Sequence, residues 1–316
     1  MASRRKNLTS LYQADDKNES VLSIEPTAFM MLTMNAVTNQ LIDLALQEDI
    51  GAGDVTSGYF VPEDKQSESS IYAKADGVLA GIEVAAEVFH RIDPSLVVKV
   101  LKQDGDLLSY GDHVLEISGA ARSILTAERT ALNFLQRLSG IASQTAVYVS
   151  KVVGTKACVL DTRKTTPGWR ALEKAAVVAG GGTNHRMGLY DRAMVKDNHL
   201  VAQHQLEALQ QAILQLKSDH PGVEVELEAD TLEQVADFYR LSGVDYLLLD
   251  NMSNAQMEQA VSMRLEVCGD TGPLLEASGG VHLDTIAGIA KTGVDFISVG
   301  ALTHSAVALD LSLEIR

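Results

Sequence analysis

The fold is decided by a pattern that begins in residues 157–168, ACVLDTRKTTPG. A short apolar run, Ala157–Leu160, passes directly into polar residues and a Pro-Gly turn, and a helical pattern, Gly168–Val178, follows. Short apolar runs bounded by turn residues are typical of buried strands in a parallel sheet. Further along the chain the same order of strand, loop and helix recurs.

Six strand-and-helix units are predicted after Val153. The five further apolar runs are Ala193–Val195, Val223–Leu227, Tyr246–Leu249, Leu274–Ala277 and Phe296–Val299, and the helical patterns between them are Gln203–Leu216, Leu232–Leu241, Asn254–Leu265 and Leu283–Thr292. Strands that alternate with helices pair in parallel through right-handed crossovers. The pattern therefore predicts an α/β barrel or an open doubly wound sheet. The doubly wound sheet is not favoured, because the sequence contains no G-x-G-x-x-G or Walker motif.

The residues before Val153 have a different organisation. Helical spacing in Val37–Glu48 is followed by short strands and helices at close intervals, which indicates a small α+β domain. Two helices, Ala127–Leu138 and Ser143–Val153, are predicted to follow, with Gly140 separating them.

The charge balance restricts the partners. The 316 residues contain 42 acidic and 26 basic side chains, a formal charge of −16, which disfavours nucleic acid and acidic membranes. No apolar run approaches the roughly 18–20 residues that span a bilayer, and two cysteines cannot build a disulfide framework, so we expect a cytoplasmic protein. Cations are nevertheless concentrated between Arg163 and Lys196, which indicates a small anionic ligand.

Polar or glycine residues follow all six predicted strands, where the chemistry of parallel α/β folds collects. These residues are Asp161–Gly168, Lys196–His199, the alternating acids Glu224, Glu226 and Glu228, Asp250 with Asn251, Ser278–Gly280, and Gly300. Arginine and lysine suit carboxylates and phosphates, and paired acids suit a divalent metal. Glycines at late strand ends suit a phosphate. The predicted ligand is therefore a multiply charged anion with a phosphate, accompanied by Mg²⁺.

Six segments resemble the quinolinate phosphoribosyltransferase family, also called nicotinate-nucleotide pyrophosphorylase (carboxylating). They are Glu48–Thr56, Ala127–Asn133, Asp161–Gly168, Gly180–Arg186, Val195–His199 and Gly300–Ser305. The resemblance runs from about Gln40 to the C-terminus. It implies an α/β protein made of an N-terminal α+β open sandwich domain plus an incomplete α/β barrel. We expect a loose tail at 1–30, the sandwich at 31–140 with 302–316 packing back on it, and the barrel at 141–301.

The resemblance also implies the reaction. Members of the family join quinolinate to phosphoribosyl pyrophosphate with Mg²⁺, and release pyrophosphate and CO₂ to give nicotinate mononucleotide for NAD biosynthesis. They form homodimers with a shared active site.

Roles for individual residues follow from the matched positions. Arg129 would reach the partner subunit's quinolinate, and Lys164, Glu226 and Asp250 would be catalytic. The metal ligands stay open, with Glu226 and Asp250 as the candidates, acting through water. The implied substrate-binding residues are Arg129, Thr162, Arg163, Lys164, His185, Arg186, Lys196, Glu226, Asp250, Ser278, Gly279, Gly280 and Gly300. Glu228 is an alternative to Glu226, because three acids alternate there.

Two other functions are compatible with parts of this pattern. A related enzyme could act on nicotinate or another acceptor without decarboxylation, but would not need so many carboxylate-binding cations. A non-catalytic homologue could sense the sugar phosphate, but would be expected to lose Lys164, Glu226 or Asp250, and all three are present.

Overall fold

The computed structural model describes residues 34–196 and 206–315, with the side chain of Asp270 excepted. These residues form two compact units. Of the described residues, one unit comprises 34–146, Thr165–Gly181 and 302–315, and the other comprises Val147–Lys164, 182–196 and 206–301. No helix among the described residues is long and apolar enough to cross a membrane.

The first unit is built on an antiparallel sheet of four strands in the order β12-β1-β5-β3. The last strand of the chain, β12, pairs with β1 from Ala73↔Leu311 to Ser69↔Ile315. The strands are β1 Gln66–Ala73, β3 Val97–Val100, β5 His113–Ala120 and β12 Leu311–Ile315, with a separate pair β2 Gly77–Val78 and β4 Leu107–Leu108. Helices α1 Ala36–Ile50, α2 Val55–Phe60 and α3 Ile82–Ile92 accompany them, so the predicted α+β character is confirmed.

Helix α4, Ala121–Val152, is continuous, so the prediction of two helices separated by Gly140 is wrong. A glycine inside a helix costs roughly 1 kcal/mol relative to alanine, but here it has a packing role. A Cβ on Gly140 would collide with the carbonyl oxygen of Val307. The glycine therefore permits the C-terminal segment to lie directly against the helix.

The second unit contains all six predicted strands, in one parallel sheet. They are β6 Cys158–Leu160, β7 Arg192–Val195, β8 Glu224–Ala229, β9 Tyr246–Asp250, β10 Leu274–Ser278 and β11 Phe296–Ser298. The intervening and following helices along the chain are α5 Arg170–Ala179, α6 Leu206–Asp219, α7 Leu232–Phe238, α8 Asn254–Cys268, α9 Ile286–Ala290 and α10 Ala301–His304. Helix α5 and the residues of α10 from Leu302 onward belong to the first unit.

The strand order β6-β11-β10-β9-β8-β7 places the first strand beside the last. That adjacency is characteristic of a barrel and excludes the doubly wound alternative. Within the described residues no ladder joins β6 to β7, so the barrel is incomplete, as expected. Instead, Leu160 forms an isolated parallel bridge with Thr183.

Alternation along the strands separates apolar from charged side chains. Val225, Leu227, Leu247 and Leu249 are fully buried on one face of β8 and β9. On the other face of β8 lie the three acids Glu224, Glu226 and Glu228.

Candidate active site

The three acids of β8 face two cations, Arg192 on the neighbouring strand β7 and Lys196 directly after it. Arg192 Nη2 lies 2.8 Å from Glu224 Oε2, and its Nη1 lies 3.6 Å from Glu226 Oε2. Lys196 forms an ion pair with Glu228. The prediction that the three acids share one face is therefore confirmed. Arg192 also stacks over the ring of Tyr246, 3.9 Å from its centroid.

His185 lies in the barrel interior between two buried acids. Its Nε2 is 3.2 Å from Glu226 Oε2 and 3.3 Å from Glu276 Oε2. Its backbone N–H donates to Asp161 Oδ1 at 2.9 Å, and its Nδ1 accepts from the Arg186 N–H at 2.7 Å. The imidazole therefore contacts acids on one side and its own loop on the other.

The acids change the proton affinity of this histidine. Burial alone would lower the pKa of His185, but hydrogen bonding and the charges of Glu226 and Glu276 outweigh it and raise that pKa to about 9. The Arg186 amide acts in the opposite sense, since an Nδ1 that accepts a hydrogen bond favours the form protonated on Nε2 alone.

The two acids respond in opposite directions. Burial alone would raise the pKa of Glu226, but His185 and Arg192 lower it. Burial raises the pKa of Glu276, and the neighbouring charge of Glu226 acts in the same sense. The charges of His185 and Arg192 therefore favour the ionised form of Glu226, whereas burial and the charge of Glu226 oppose ionisation of Glu276.

Two arginines of the segment between β6 and β7, Arg163 and Arg186, lie within range of each other's charge. Burial lowers the pKa of the Arg186 guanidinium, and the positive charge of Arg163 adds to that lowering. Arg186 Nη1 donates to the Arg192 carbonyl at 3.0 Å. Neighbouring guanidinium groups that repel each other favour an anion between them, because a carboxylate accepts hydrogen bonds from both.

The loop after β6 carries the other predicted cation. The Lys164 N–H donates to Thr162 Oγ1 at 3.1 Å, which fixes the turn, and Lys164 is exposed. The last part of the cationic stretch, Asp197–His199, lies outside the described residues.

The ends of β9 and β10 form a tight glycine corner. Asp250 Oδ2 accepts from Asn251 Nδ2 at 2.6 Å, and the Asn251 N–H donates to the Ser278 carbonyl at 2.9 Å. Gly279 has φ 91°, and a Cβ there would collide with the Asn251 side chain. Only glycine fits, since other residues rarely adopt this conformation. Gly280 follows with φ 60°, and Gly300 comes two residues after the end of β11.

A metal ion could in principle be held at two places. His185, Glu226 and Glu276 offer one nitrogen and two oxygens within 4.8 Å of one another. There, however, the Arg186 amide at Nδ1 favours a hydrogen on Nε2, and a protonated Nε2 has no lone pair to offer a metal ion. Asp250 is half exposed at a strand end and offers the carboxylate oxygen that Mg²⁺ prefers.

Three residues of this arrangement were not predicted as site residues: Asp161, Arg192 and Glu276. Glu276 was read as part of the apolar run Leu274–Ala277. A glutamate inside an otherwise buried strand is itself a signal, because a buried charge requires a partner. Arg129, by contrast, was predicted and lies exposed on α4 in the first unit.

The barrel with its facing cations, acids and glycine corner defines a class of proteins that bind phosphorylated or carboxylated small molecules. Residues 54–139 match the family description "Quinolinate phosphoribosyl transferase, N-terminal domain", and residues 141–314 match the corresponding C-terminal domain. The chain belongs to the quinolinate phosphoribosyltransferase family.

Individual relatives are similar over most of their length. The chloroplastic nicotinate-nucleotide pyrophosphorylase [carboxylating] of Arabidopsis thaliana is 39% identical, with 94% of this chain and 87% of the relative covered. The nicotinate-nucleotide pyrophosphorylase [carboxylating] of Mycobacterium leprae (strain TN) is 42% identical, with 86% and 94% covered. The crystal structure of NadC from Streptococcus pyogenes is 40% identical, with a TM-score of 0.83 and 93% and 99% covered.

Proposed function

We propose that this protein is a decarboxylating pentosyltransferase that converts quinolinate and phosphoribosyl pyrophosphate into nicotinate mononucleotide, pyrophosphate and CO₂. The observation that carries the proposal is the match of residues 54–139 and 141–314 to the two domains of the quinolinate phosphoribosyltransferase family. Burial and the nearby positive charge of Arg163 lower the pKa of Arg186, and a diacid could accept hydrogen bonds from both guanidinium groups.

The chemistry requires no general base in its first step, because the pyridine nitrogen carries no proton at neutral pH. That nitrogen attacks C1 of the ribose, and the C1–O bond breaks with its electron pair leaving on pyrophosphate. The positive pyridinium nitrogen then stabilises the electron pair left on C2 when the adjacent carboxylate departs as CO₂. A proton taken up at C2 completes the product.

The residues divide by role. Arg163, Arg186 and Lys196, with Thr162 and His185 beside them, bind and orient the diacid, which is a proximity effect. Lys164 neutralises the leaving pyrophosphate, and Glu226 and Asp250 oppose the positive charge that develops on the ribose. Ser278, Gly279, Gly280 and Gly300 hold the 5′-phosphate through backbone N–H groups. Glu228, already paired with Lys196, is the alternative acid.

Mg²⁺ is part of the proposal. Asp250 fits it because this carboxylate is half exposed, whereas Glu226 is fully buried against His185 and Arg192 and could act on the ion only through water. When bound, Mg²⁺ would neutralise part of the charge of the pyrophosphate group.

A homodimer with a shared site is also proposed, with Arg129 acting on the partner's substrate. Its exposure on α4 supports this role, because an exposed arginine is available to another subunit. Mixing inactive Arg129→Ala protein with inactive Lys164→Ala protein should restore part of the activity. No recovery after verified subunit exchange would refute the shared site.

The cytoplasm remains the proposed location. Two plant relatives carry the word chloroplastic in their names, so the proposal needs a direct test. The full chain fused to a fluorescent protein should fill the cytoplasm, and accumulation in an organelle would overturn the proposal.

One assay tests the reaction against its alternatives. Purified protein is mixed with Mg²⁺, phosphoribosyl pyrophosphate and quinolinate, and both CO₂ and pyrophosphate are followed; equal release of the two is expected. Pyrophosphate release with nicotinate but not with quinolinate would favour the enzyme without decarboxylation. Binding of phosphoribosyl pyrophosphate without any product would favour a sensor.

A further inference from the structure

Glu276 is a fully buried charge in the middle of a barrel strand. Its neighbours on β10, Leu275 and Ala277, are also fully buried, and β10 is flanked on both sides by β9 and β11. Burying a carboxylate costs several kcal/mol unless other groups compensate, and an apolar residue of similar size would avoid that cost. The acid therefore points to a requirement other than stability.

The carboxylate of Glu276 connects two elements. The Ser298 hydroxyl on β11 donates to its Oε1, and its Oε2 lies 3.3 Å from His185 Nε2. Glu226 on β8 lies 3.2 Å from the same nitrogen. The imidazole is thus held between acids from two non-adjacent strands, which fixes the direction of its ring.

The other side of the imidazole fixes the residue that follows it. His185 Nδ1 accepts from the Arg186 N–H at 2.7 Å, while Asp161 holds the His185 N–H at 2.9 Å. The Arg186 guanidinium then donates to the Arg192 carbonyl at 3.0 Å. A rotation of the imidazole would release the Arg186 amide and change the position from which the guanidinium extends.

We propose that Glu276 is a positioning residue that acts through His185 to aim the Arg186 guanidinium at a carboxylate of the acidic substrate. The proposal rests on the function proposed above and names a residue that does not touch the substrate itself. Its effect is therefore expected on the binding of the diacid, and much less on the phosphorylated sugar.

The primary test is Glu276→Gln, which preserves size and removes the charge. The KM for quinolinate should rise about tenfold, as expected when a close contact between charged groups is lost, while the KM for phosphoribosyl pyrophosphate changes less than about twofold. The matched control is Glu258→Gln on the exposed face of α8, which should leave both constants unchanged. An equal rise in the KM for both substrates would overturn the proposal, because a general packing defect would weaken the binding of both.

A double-mutant cycle identifies the route of the effect. In an Arg186→Lys background, Glu276→Gln should change the KM for quinolinate by less than about twofold, because the two substitutions disrupt one chain of contacts. If each substitution instead raises the KM for quinolinate by its full factor in the presence of the other, the proposal is overturned. If Glu276→Gln does not fold, Ser298→Ala provides the second variant, since it removes the donor to Glu276 and should shift the same constant in the same direction.

These outcomes separate the inference from the proposed function. Wild-type protein that turns over no quinolinate refutes the function. Active wild-type protein with an unchanged KM for quinolinate in Glu276→Gln refutes only the role of Glu276.

Discussion

Arg137 Nη2 donates to Glu173 Oε1 at 2.9 Å, and Glu173 is fully buried. The pair belongs to the first unit and anchors two loops there. Glu173 also accepts from the Thr166 N–H at 3.1 Å and from its hydroxyl at 2.8 Å. Arg137 also donates to the carbonyl oxygens of Thr303 and Ala306. Within the first unit, the pair therefore holds Thr166 and the segment Thr303–Ala306 in place.

Arg137→Met should destabilise the protein by about 3 kcal/mol, because it leaves Glu173 buried without its cation. Urea unfolding followed by circular dichroism measures the change. The control is Arg240→Met, which removes an exposed partner of Asp237 and should cost less than about 0.5 kcal/mol. Equal costs in the two variants would show that the Arg137–Glu173 pair contributes no more than a surface pair.

Gly140→Ala should destabilise the protein by about 1–3 kcal/mol, although alanine is the better helix former. The added methyl group would meet the Val307 carbonyl oxygen. Gly58→Ala provides a matched control inside helix α2, where a Cβ meets no atom within 4 Å, and there alanine should stabilise by up to about 1 kcal/mol. Thermal unfolding of both variants distinguishes the cases, and a stabilising Gly140→Ala would contradict the described packing.

Gly279→Ala should raise the KM for phosphoribosyl pyrophosphate about tenfold or more, since small displacements of a binding loop have large kinetic effects. Both the positive φ and the contact with Asn251 oppose a side chain there. Gly222→Ala, in an exposed turn with open space around it, should leave that KM unchanged. An unaltered KM in Gly279→Ala would remove this corner from the proposed phosphate site.

Stability should depend on pH through His185. A pKa that folding raises from 6.5 to about 9 gives a stabilisation that is complete below pH 6.5 and is lost as the pH rises through about 9. The unfolding free energy of wild-type protein should therefore fall by up to roughly 3 kcal/mol over this range relative to His185→Gln.

The exposed residue His220 supplies the control for this experiment, because His220→Gln should retain the wild-type pH dependence. If wild-type and His185→Gln proteins respond identically to pH, the Arg186 amide keeps His185 Nδ1 unprotonated throughout.

The sequence predicted much of this architecture, because strand periodicity and turn residues are local signals. All six barrel strands were found, and so was the shared face of Glu224, Glu226 and Glu228. The choice between a barrel and a doubly wound sheet depended on the pairing of β6 with β11, which no local pattern encodes. Gly140 was misread for a similar reason, since its partner Val307 is distant in sequence.

Glu276 likewise could not be predicted as a site residue from local sequence patterns. A single acid in an apolar run does not disturb the strand pattern, and its partners come from β11 and from the loop before β7. Only their spatial arrangement shows that the charge is compensated. The assignments of the remaining site residues stay predictions.

The bridge between Leu160 and Thr183 has a mechanical consequence. The Thr183 N–H donates to the Val159 carbonyl at 2.8 Å, and the Asp161 N–H donates to the Thr183 carbonyl at 3.2 Å, so one residue takes the place of a neighbouring strand on the free edge of β6. Arg163 and Arg186 are therefore carried by the same rigid support. Lys196 directly follows β7, and among the described residues no strand ladder joins β7 to β6. The cations of the proposed diacid pocket therefore come from two separately supported edges of the sheet.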